Sequence, residues 1–269
     1  QLGAKTIIQS TKGAGMNSMQ RFLPFVVPAS LIIVWQVASS TGLVPTTVLS
    51  SPEAVIKAFI RLIANGELLE NLGVSAARAG VGLLIGGSIG FALGLANGLS
   101  KLSEGLFDSS IQMLRNIPHL ALIPLVILWF GIEEEARLFL VALGVFFPIY
   151  VNTMYGVRSV DPQLVEMGRV YGMSQWQLFA RVIFPGALPS IFVGLRYALG
   201  IMWLTLIVAE TIAANSGIGH MAMQAREFLQ VDVVVLSIIV YALLGKLADS
   251  FTRFMERQAL SWNPTYRQA

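Results

Sequence analysis

The chain contains 269 residues, of which 55% are hydrophobic and only 12% are charged, and its mean hydropathy is +0.70. A soluble domain could not cover such a chain with polar groups, so the composition predicts an integral membrane protein. The net charge of +3 does not indicate a nucleic-acid partner, and membrane orientation explains the basic residues better. With no cysteine and two histidines, disulfides, iron–sulfur clusters and thiolate zinc sites are excluded, and no metal site is expected.

Several apolar stretches are long enough to cross a bilayer, whose hydrocarbon core of about 30 Å requires roughly 20 residues of helix. Each is expected to be helical, because irregular backbone cannot face lipid. The predicted fold is therefore an all-α integral membrane protein with about six transmembrane helices. These are placed near residues 22–40, 79–99, 110–131, 137–157, 190–212 and 232–254.

A shorter helix is predicted between the first two spans. Ser51, Pro52 and Glu53 form a typical helix start. Apolar and basic residues then alternate at helical spacing, which predicts an amphipathic helix lying on one face of the membrane.

Basic residues are unevenly divided between the two sides of the predicted bundle. More of them fall on the side that holds both chain ends and the polar loop 161–189. The positive-inside rule therefore predicts that both termini and this loop are cytoplasmic. The predicted organisation is a polar cytoplasmic segment at 1–20, a transmembrane domain at 21–258 and a cytoplasmic tail at 259–269.

Loop 161–189 is the longest polar interval between two long apolar segments and is predicted to form two short helices. Asp161, followed by a first-turn proline, can cap the first helix, and Gly172 is expected to break it. Ser174 stands three residues before Gln177, at the spacing of a capping box that begins a second helix.

The second loop helix is predicted to present an aromatic face that needs a partner to cover it. That face consists of Trp176, Phe179, Val182 and Ile183. Pro185 and Pro189 are expected to end the helix and return the chain to an apolar run. A passive connector is the alternative interpretation of the loop.

The second span carries glycine at every fourth position, a small-residue ridge that permits close approach of another helix. The ridge could serve packing within one subunit, or a sliding face that supports gating. Its members are Gly82, Gly86, Gly90, Gly94 and Gly98.

The third span places polar residues about one turn inside the predicted membrane edge. Arg115 and His119 are four residues apart and share a helical face, with Asn116 and Pro118 between them. Arg115 could extend to cytoplasmic head groups while His119 bonds a neighbouring helix. Alternatively, the two could form a cationic lining for an anionic solute, because a basic group at depth usually faces a cavity or a partner.

Three later polar residues complete the candidate translocation path. Asn152 belongs with Pro148 and Tyr150 to a predicted polar kink in the fourth span, and Thr205 and Glu210 lie in the fifth. Glu210 is near the far end of its span, where it could also be an ordinary solvated carboxylate.

Loop 161–189 resembles the EAA loop of permease subunits of ABC importers. The pattern of that loop is Glu-Ala-Ala, three residues, Gly, nine residues, Ile, any residue, and Leu-Pro. Glu166, Gly172 and Pro185 match it at the correct spacing. Replacements occur at Met167, Gly168, Val182 and Phe184.

Longer strings extend this resemblance from about Arg21 to Tyr266, including SIQMLRNIPHLALIPLVILWFGI and WLTLIVAETIAANSGIG. They are similar to the branch of ABC permeases that import aliphatic sulfonates, taurine and nitrate, and most similar to the aliphatic sulfonate permeases. The resemblance implies a type I importer permease (MetI-like) fold in the bacterial inner membrane. It also implies a homodimer of permeases, two cytoplasmic ATPase subunits and an external solute-binding protein.

The chain contains no GxxxxGK[ST] loop, so ATP and Mg are expected on the partner ATPase and no cofactor on this chain. By resemblance, the loop would seat on that ATPase and rock the spans between inward-facing and outward-facing states. The expected coupling residues are Glu166, Gly172, Met173, Ser174, Trp176, Leu178 and Phe179.

Two other classes of protein compete with a permease subunit. A stand-alone secondary transporter or channel would need an ion-coupling carboxylate deep in a span, for which Glu210 is the only weak candidate. A membrane enzyme would need paired carboxylates, a histidine motif or GxSxG, which the sequence lacks. The predicted function is import of a small organic anion by alternating access, with an aliphatic sulfonate first and taurine or nitrate as alternatives.

Overall fold

The computed structural model describes residues 18–45 and 48–262, and the regular elements in those ranges are all helical. Expectations about residues 1–17, 46–47 and 263–269 lie outside the described residues. The helices are α1 (Ser18–Ser40), α2 (Pro52–Ala64), α3 (Glu67–Leu99), α4 (Lys101–Arg115), α5 (Ile123–Phe130), α6 (Glu134–Arg158), α7 (Pro162–Val170), α8 (Gln175–Leu178), α9 (Phe184–Ala213), α10 (Ile218–Glu227) and α11 (Val231–Ala259). A 3-10 turn at His119–Leu122 precedes α5, and a π-helical turn at Phe179–Ile183 joins α8 to α9.

Within the described ranges, four helical segments are long and apolar enough to cross a membrane. A fifth span is found there if α4 is counted together with the segment His119–Phe130, and the angle between these two parts is 83°. α1 contributes a shorter apolar helix, Val26–Ser40, within the predicted first span. The four segments are Glu67–Leu99, Glu134–Arg158, Gln175–Ile212 and Val231–Ala259.

The prediction of one continuous span over 110–131 is wrong. α4 ends at Arg115, and Pro118 has an extended backbone (φ −60°, ψ 108°) before the 3-10 turn. Proline has no N–H to donate and disfavours helical geometry in the residue before it, so the chain turns here.

α3 and α6 run in parallel and are packed along the predicted glycine ridge. A Cβ at Gly86 would lie 2.0 Å from the carbonyl oxygen of Ala142, and one at Gly98 would lie 2.8 Å from Cβ of Val157. The backbones therefore approach more closely than any side chain would allow. Packing within one subunit, one of the two alternatives, is confirmed.

α9 lies against the other side of α6 and runs antiparallel to it. Gly144 of α6 meets Ile201 and Thr205, and Gly156, nearer the end of α6, meets Ser190 near the start of α9. We call the end of the bundle where α6 stops and α9 starts the loop end, because it carries loop 161–189, and the opposite end the far end.

At the far end, α2 packs with α10 and the first turns of α3 and α11. The buried residues there include Ala58, Leu62, Ile218 and Val233. Ser51 caps α2 by accepting a hydrogen bond from the Ala54 amide, as its sequence predicts. The outer face of α2 leaves apolar residues exposed, as expected for a helix at a membrane surface. They include Ile56, Phe59, Ile60 and Ile63.

The prediction that Pro185 and Pro189 end the second loop helix is wrong. Pro185 lies in the first turn of α9, and Pro189 lies inside that helix. Between α8 and α9 the chain makes a π-helical turn, in which the Phe184 amide donates to the Phe179 carbonyl. Helical structure therefore continues from Gln175 to Ile212. Pro185 costs little, because a proline in a first turn leaves no necessary hydrogen bond unmade. Pro189 removes one hydrogen bond inside α9, but the helix continues past it.

Candidate translocation cavity and coupling loop

We call α4, the 3-10 turn and α5 together the bent segment. A cavity of about 320 Å³ lies between this bent segment and the sides of α6 and α9 that face it. Three of the residues predicted for the translocation path, Arg115, His119 and Asn152, line it. The remaining wall is mostly apolar, and this combination is typical of small-molecule sites. The other lining residues are Gly144, Phe147, Pro148, Val151, Tyr197 and Ile201.

His119 and Thr205 meet beside this cavity. His119 Nε2 lies 2.9 Å from the Thr205 hydroxyl oxygen, and Thr205 itself is fully buried. A Cβ at Gly144 would lie 3.0 Å from that hydroxyl and 3.4 Å from His119 Nε2. Glycine at this position therefore leaves room for the pair, which joins the bent segment to α9.

Arg115 is the last residue of α4 and is exposed. It forms no ion pair with any residue in the part of the chain that the structure describes. A guanidinium group without a carboxylate partner can offer two parallel N–H donors to an oxyanion. The cavity therefore has the charge that an anionic solute requires.

The position of Arg115 depends on how α4 is attached to the bundle. The Tyr150 hydroxyl, fully buried in α6, donates to Asp108 Oδ1 of α4 at 2.7 Å. It also accepts from Asn97 Nδ2 of α3 at 2.7 Å. Since three helices meet at one hydroxyl, this contact fixes α4 beside the cavity.

Asn152 reaches the cavity from α6. Its side-chain amide donates to the Pro148 carbonyl at 2.9 Å. Gly194 of α9 faces it so closely that a Cβ there would lie 2.6 Å from Asn152 Cβ. Asn116, also predicted for the path, is exposed as the C-cap of α4 and does not line the cavity.

Glu210 lies apart from the cavity, in a buried cluster at the far end. It is 1% exposed, so the alternative of a solvated carboxylate is wrong. Its oxygens accept hydrogen bonds from the Ser75 hydroxyl, Arg78 Nη1 and the Tyr241 hydroxyl, each at 2.8 Å, and from the Gly219 amide at 2.9 Å.

Arg78 extends this far-end cluster to neighbouring elements. Its guanidinium donates to Glu134 at the start of α6, at 2.8 Å through Nε, and to the Ser216 carbonyl at 2.6 Å. Asn71 accepts from the Gly217 amide at 2.8 Å. The cluster therefore joins α3, α6, α9 and α11 to the turn before α10, and its contacts favour a role in packing. Neither Arg78 nor Ser75 was among the sequence-based candidates.

The first loop helix, α7, ends in the glycine turn that its sequence predicts. Gly172 has φ +73°, a conformation that glycine adopts without strain. The Met173 amide donates to the Gly168 carbonyl at 3.0 Å, and the Gly172 amide donates to the Arg169 carbonyl at 2.9 Å. This pair of bonds is the Schellman motif, which ends α7 sharply.

The second loop helix, α8, begins with the predicted capping box. Ser174 accepts from the Gln177 amide, and the Gln177 side chain accepts from the Ser174 amide. Trp176 is 72% exposed. Such a large exposed ring at the loop end is typical of a surface that a partner covers.

The other predicted coupling residues hold the two loop helices together or lie on their surface. Leu178 is buried and packs on α7, where a Cβ at Gly168 would lie 2.7 Å from its Cδ1. Glycine at 168, where the EAA pattern has alanine, therefore suits this contact. Met173 and Phe179 are half-buried, and Glu166 is exposed.

The known proteins to which this chain is similar are components of membrane transport systems. A family model described as the inner membrane component of binding-protein-dependent transport systems matches residues 82–260. The aliphatic sulfonates transport permease SsuC of Escherichia coli K12 is 62% identical, over 91% of this chain and 94% of that protein. SsuC of Bacillus subtilis 168 is 46% identical, over 90% and 87%. The taurine transport system permease TauC of Escherichia coli K12 is 34% identical, over 87% of each.

Among solved structures, the fold is similar to that of the MetNI methionine ABC transporter in an inward-facing conformation. The TM-score is 0.51 at 19% identity, and the match covers 73% of this chain and 97% of that one. This similarity confirms the predicted type I importer permease fold.

Proposed function

Because the chain belongs to the family of inner membrane components of binding-protein-dependent transport systems, we propose that it carries an aliphatic sulfonate through the cavity beside Arg115. As a member of this family it is a multi-pass membrane transport subunit and not an enzyme, and it works with an ATPase and a solute-binding protein. The observation that supports the anionic solute best is the guanidinium of Arg115, which lines the cavity without a carboxylate partner among the described residues.

The names of the relatives support the same solute class. Relatives 62% and 46% identical are named for aliphatic sulfonates. Taurine, named for the relative at 34%, also carries a sulfonate, and nitrate is named for a relative at 32%. These compounds share an oxyanion of the kind that a guanidinium binds with paired hydrogen bonds, so taurine and nitrate are the alternative solutes.

The proposed assembly contains two copies of this chain, two ATPases that bind ATP and Mg, and one external binding protein. The proposed orientation puts the loop end in the cytoplasm, in accord with the distribution of basic residues, which predicts the same side for both termini. Loop 161–189 seats on the ATPase through Trp176, while the capped turns at Gly172 and Ser174 hold the shape of the loop. Closure of the ATPases then moves the spans between inward-facing and outward-facing states.

The Arg115→Ala variant tests the path. We expect uptake of labelled ethanesulfonate at low concentration to fall by about 10- to 100-fold, the effect of losing a hydrogen bond to a charged group. Uptake is measured in cells that express the variant, and co-purification of the ATPase is measured in parallel and should be unchanged. Arg257→Ala, which removes another exposed arginine, is the control. Normal ethanesulfonate uptake by Arg115→Ala would remove this residue from the path.

Trp176→Ala tests the coupling surface. We expect at least about a 30-fold loss of affinity for the ATPase, because buried tryptophans dominate interface energies. The measurement is the amount of ATPase that co-purifies with the tagged permease in detergent. Trp129→Ala removes a tryptophan that is similarly exposed, at 61% against 72%, but lies on α5. Equal retention of the ATPase by both variants would show that Trp176 is not part of the interface.

A further inference from the structure

Four aromatic rings form a continuous line from the loop into the bundle. The ring centroids of Trp176 and Phe179 are 5.6 Å apart, and those of Phe179 and Phe184 are 5.8 Å apart. Phe184 then contacts Phe91 of α3 edge to face, at 6.4 Å. Each distance lies within the range of favourable aromatic pairs. The line begins at the exposed tryptophan and ends inside the membrane-spanning bundle.

The middle contact of this line depends on the π-helical turn. In an α-helix, residues five apart point about 140° away from each other, so Phe179 and Phe184 could not stack. Residues 179–183 instead form a π-helical turn, and the Phe184 amide donates to the Phe179 carbonyl. This wider turn places both rings on one side of the chain, and such turns are frequent at functional sites.

The π-helical turn is also the joint between the loop helix and the bundle. α8 contains only four residues, and its regular hydrogen bonding does not continue unbroken into α9. A force applied to Trp176 could therefore bend the chain at this joint instead of moving α9. Irregular turns of this kind are where helices kink.

Phe91 is well placed to resist that bending. It lies on α3 between Gly90 and Gly94, whose missing Cβ atoms would lie 2.6 and 2.7 Å from carbonyl oxygens of α6. α3 and α6 are thus locked together at this level. The Phe184 ring therefore rests on a rigid pair of helices, one of which lines the cavity.

We propose that Phe91 and Phe184 are positioning residues. Their contact, which we call the brace, resists bending at the π-helical turn, so that α8 and the bundle move as one rigid unit. This inference rests on the proposed function, in which α8 seats on the ATPase. Without the brace, the ATPase would still bind and hydrolyse ATP, but part of its movement would be lost in bending at the π-helical turn. The brace therefore determines how much solute moves per ATP.

The test measures ethanesulfonate moved per ATP hydrolysed, in proteoliposomes that contain the complete complex and its binding protein. Phe91→Leu and Phe184→Leu are each expected to lower this ratio by about three- to tenfold, the scale of one aromatic pair. The double variant should be no worse than Phe184→Leu alone, because that variant already removes the contact with Phe91, together with the contact between Phe179 and Phe184. Phe91→Tyr keeps a ring and should retain the wild-type ratio.

The control is Phe139→Leu, which should keep the wild-type ratio of ethanesulfonate to ATP because it disrupts a different aromatic pair. Phe139 is half-buried, and its ring lies 5.2 Å from that of Phe130. Co-purification of the ATPase should be unchanged in every variant. An unchanged ratio in Phe91→Leu, or effects that add in the double variant, would overturn the brace. Failure of the wild-type chain to bind the ATPase would instead overturn the proposed function, so the two failures are distinguishable.

Discussion

Arg78→Ala is expected to lower the free energy of unfolding by about 3–5 kcal/mol, the cost of breaking a buried ion pair by removing one partner. Glu210 would keep its hydrogen bonds from Ser75, Tyr241 and Gly219. However, its carboxylate is 1% exposed and would lose its ion pair with Arg78. The measurement is denaturant unfolding of the purified chain in detergent.

The matched control for this prediction is Arg61→Ala. Arg61 pairs with Asp232 at 3.6 Å, and its side chain is 57% exposed, so the loss should stay below about 1 kcal/mol. Adding Glu210→Gln to Arg78→Ala removes the uncompensated charge and should recover part of the stability. If the Arg78 and Arg61 variants were equally stable, the far-end cluster would not stabilise the fold.

Gly86→Ala is expected to separate α3 from α6 and to destabilise the bundle by about 1–3 kcal/mol or more, the typical cost of overpacking. The added Cβ would lie 2.0 Å from the Ala142 carbonyl oxygen. A backbone atom cannot rotate away from the new methyl group, so the two helices must shift. The expected result is a lower melting temperature in detergent and a smaller yield of monodisperse protein.

Gly80→Ala provides the control on the same helix. A Cβ there would have no atom of the described residues within 4 Å, and alanine is a better helix former than glycine by about 0.8–1.0 kcal/mol. This variant should therefore be at least as stable as the wild type. If the Gly86→Ala protein melted at the wild-type temperature, the backbones of α3 and α6 would have to be farther apart at Gly86 than in the structure.

Features that depend on neighbouring residues were predictable from the sequence. The capping box at Ser174 and the glycine turn at Gly172 are encoded within a few residues, and both form as expected. The glycine ridge is similarly local, because its spacing of four puts every member on one helical face. The sequence could not specify the partner of the ridge, which is α6 of the same chain.

Features that depend on distant contacts could not be predicted. Arg78 and Glu210 are separated by 132 positions, and nothing near either residue indicates the other. The sequence predicts an interruption within one span at Pro118, and it cannot give the direction of the bend, which depends on contacts such as that between His119 and Thr205. It also predicts a helix end at Pro185, whereas the chain continues through the π-helical turn before that residue.

For the candidate path, the sequence supplied the residue types and the structure supplied their grouping. Arg115, His119 and Asn152 line one cavity, and Thr205 joins them through His119. Asn116 is exposed on α4, and Glu210 belongs to the far-end cluster. Helical periodicity alone would have placed Arg115 and His119 on one face, whereas the bend separates them into two elements that still face the same space.

The most direct test of the proposed mechanism is uptake of labelled ethanesulfonate into proteoliposomes made with this chain alone, or with its ATPase and binding protein. The account predicts uptake only when both partners and ATP are present, and a loss of that uptake in Trp176→Ala. Uptake by the chain alone, with no nucleotide-hydrolysing partner, would contradict it.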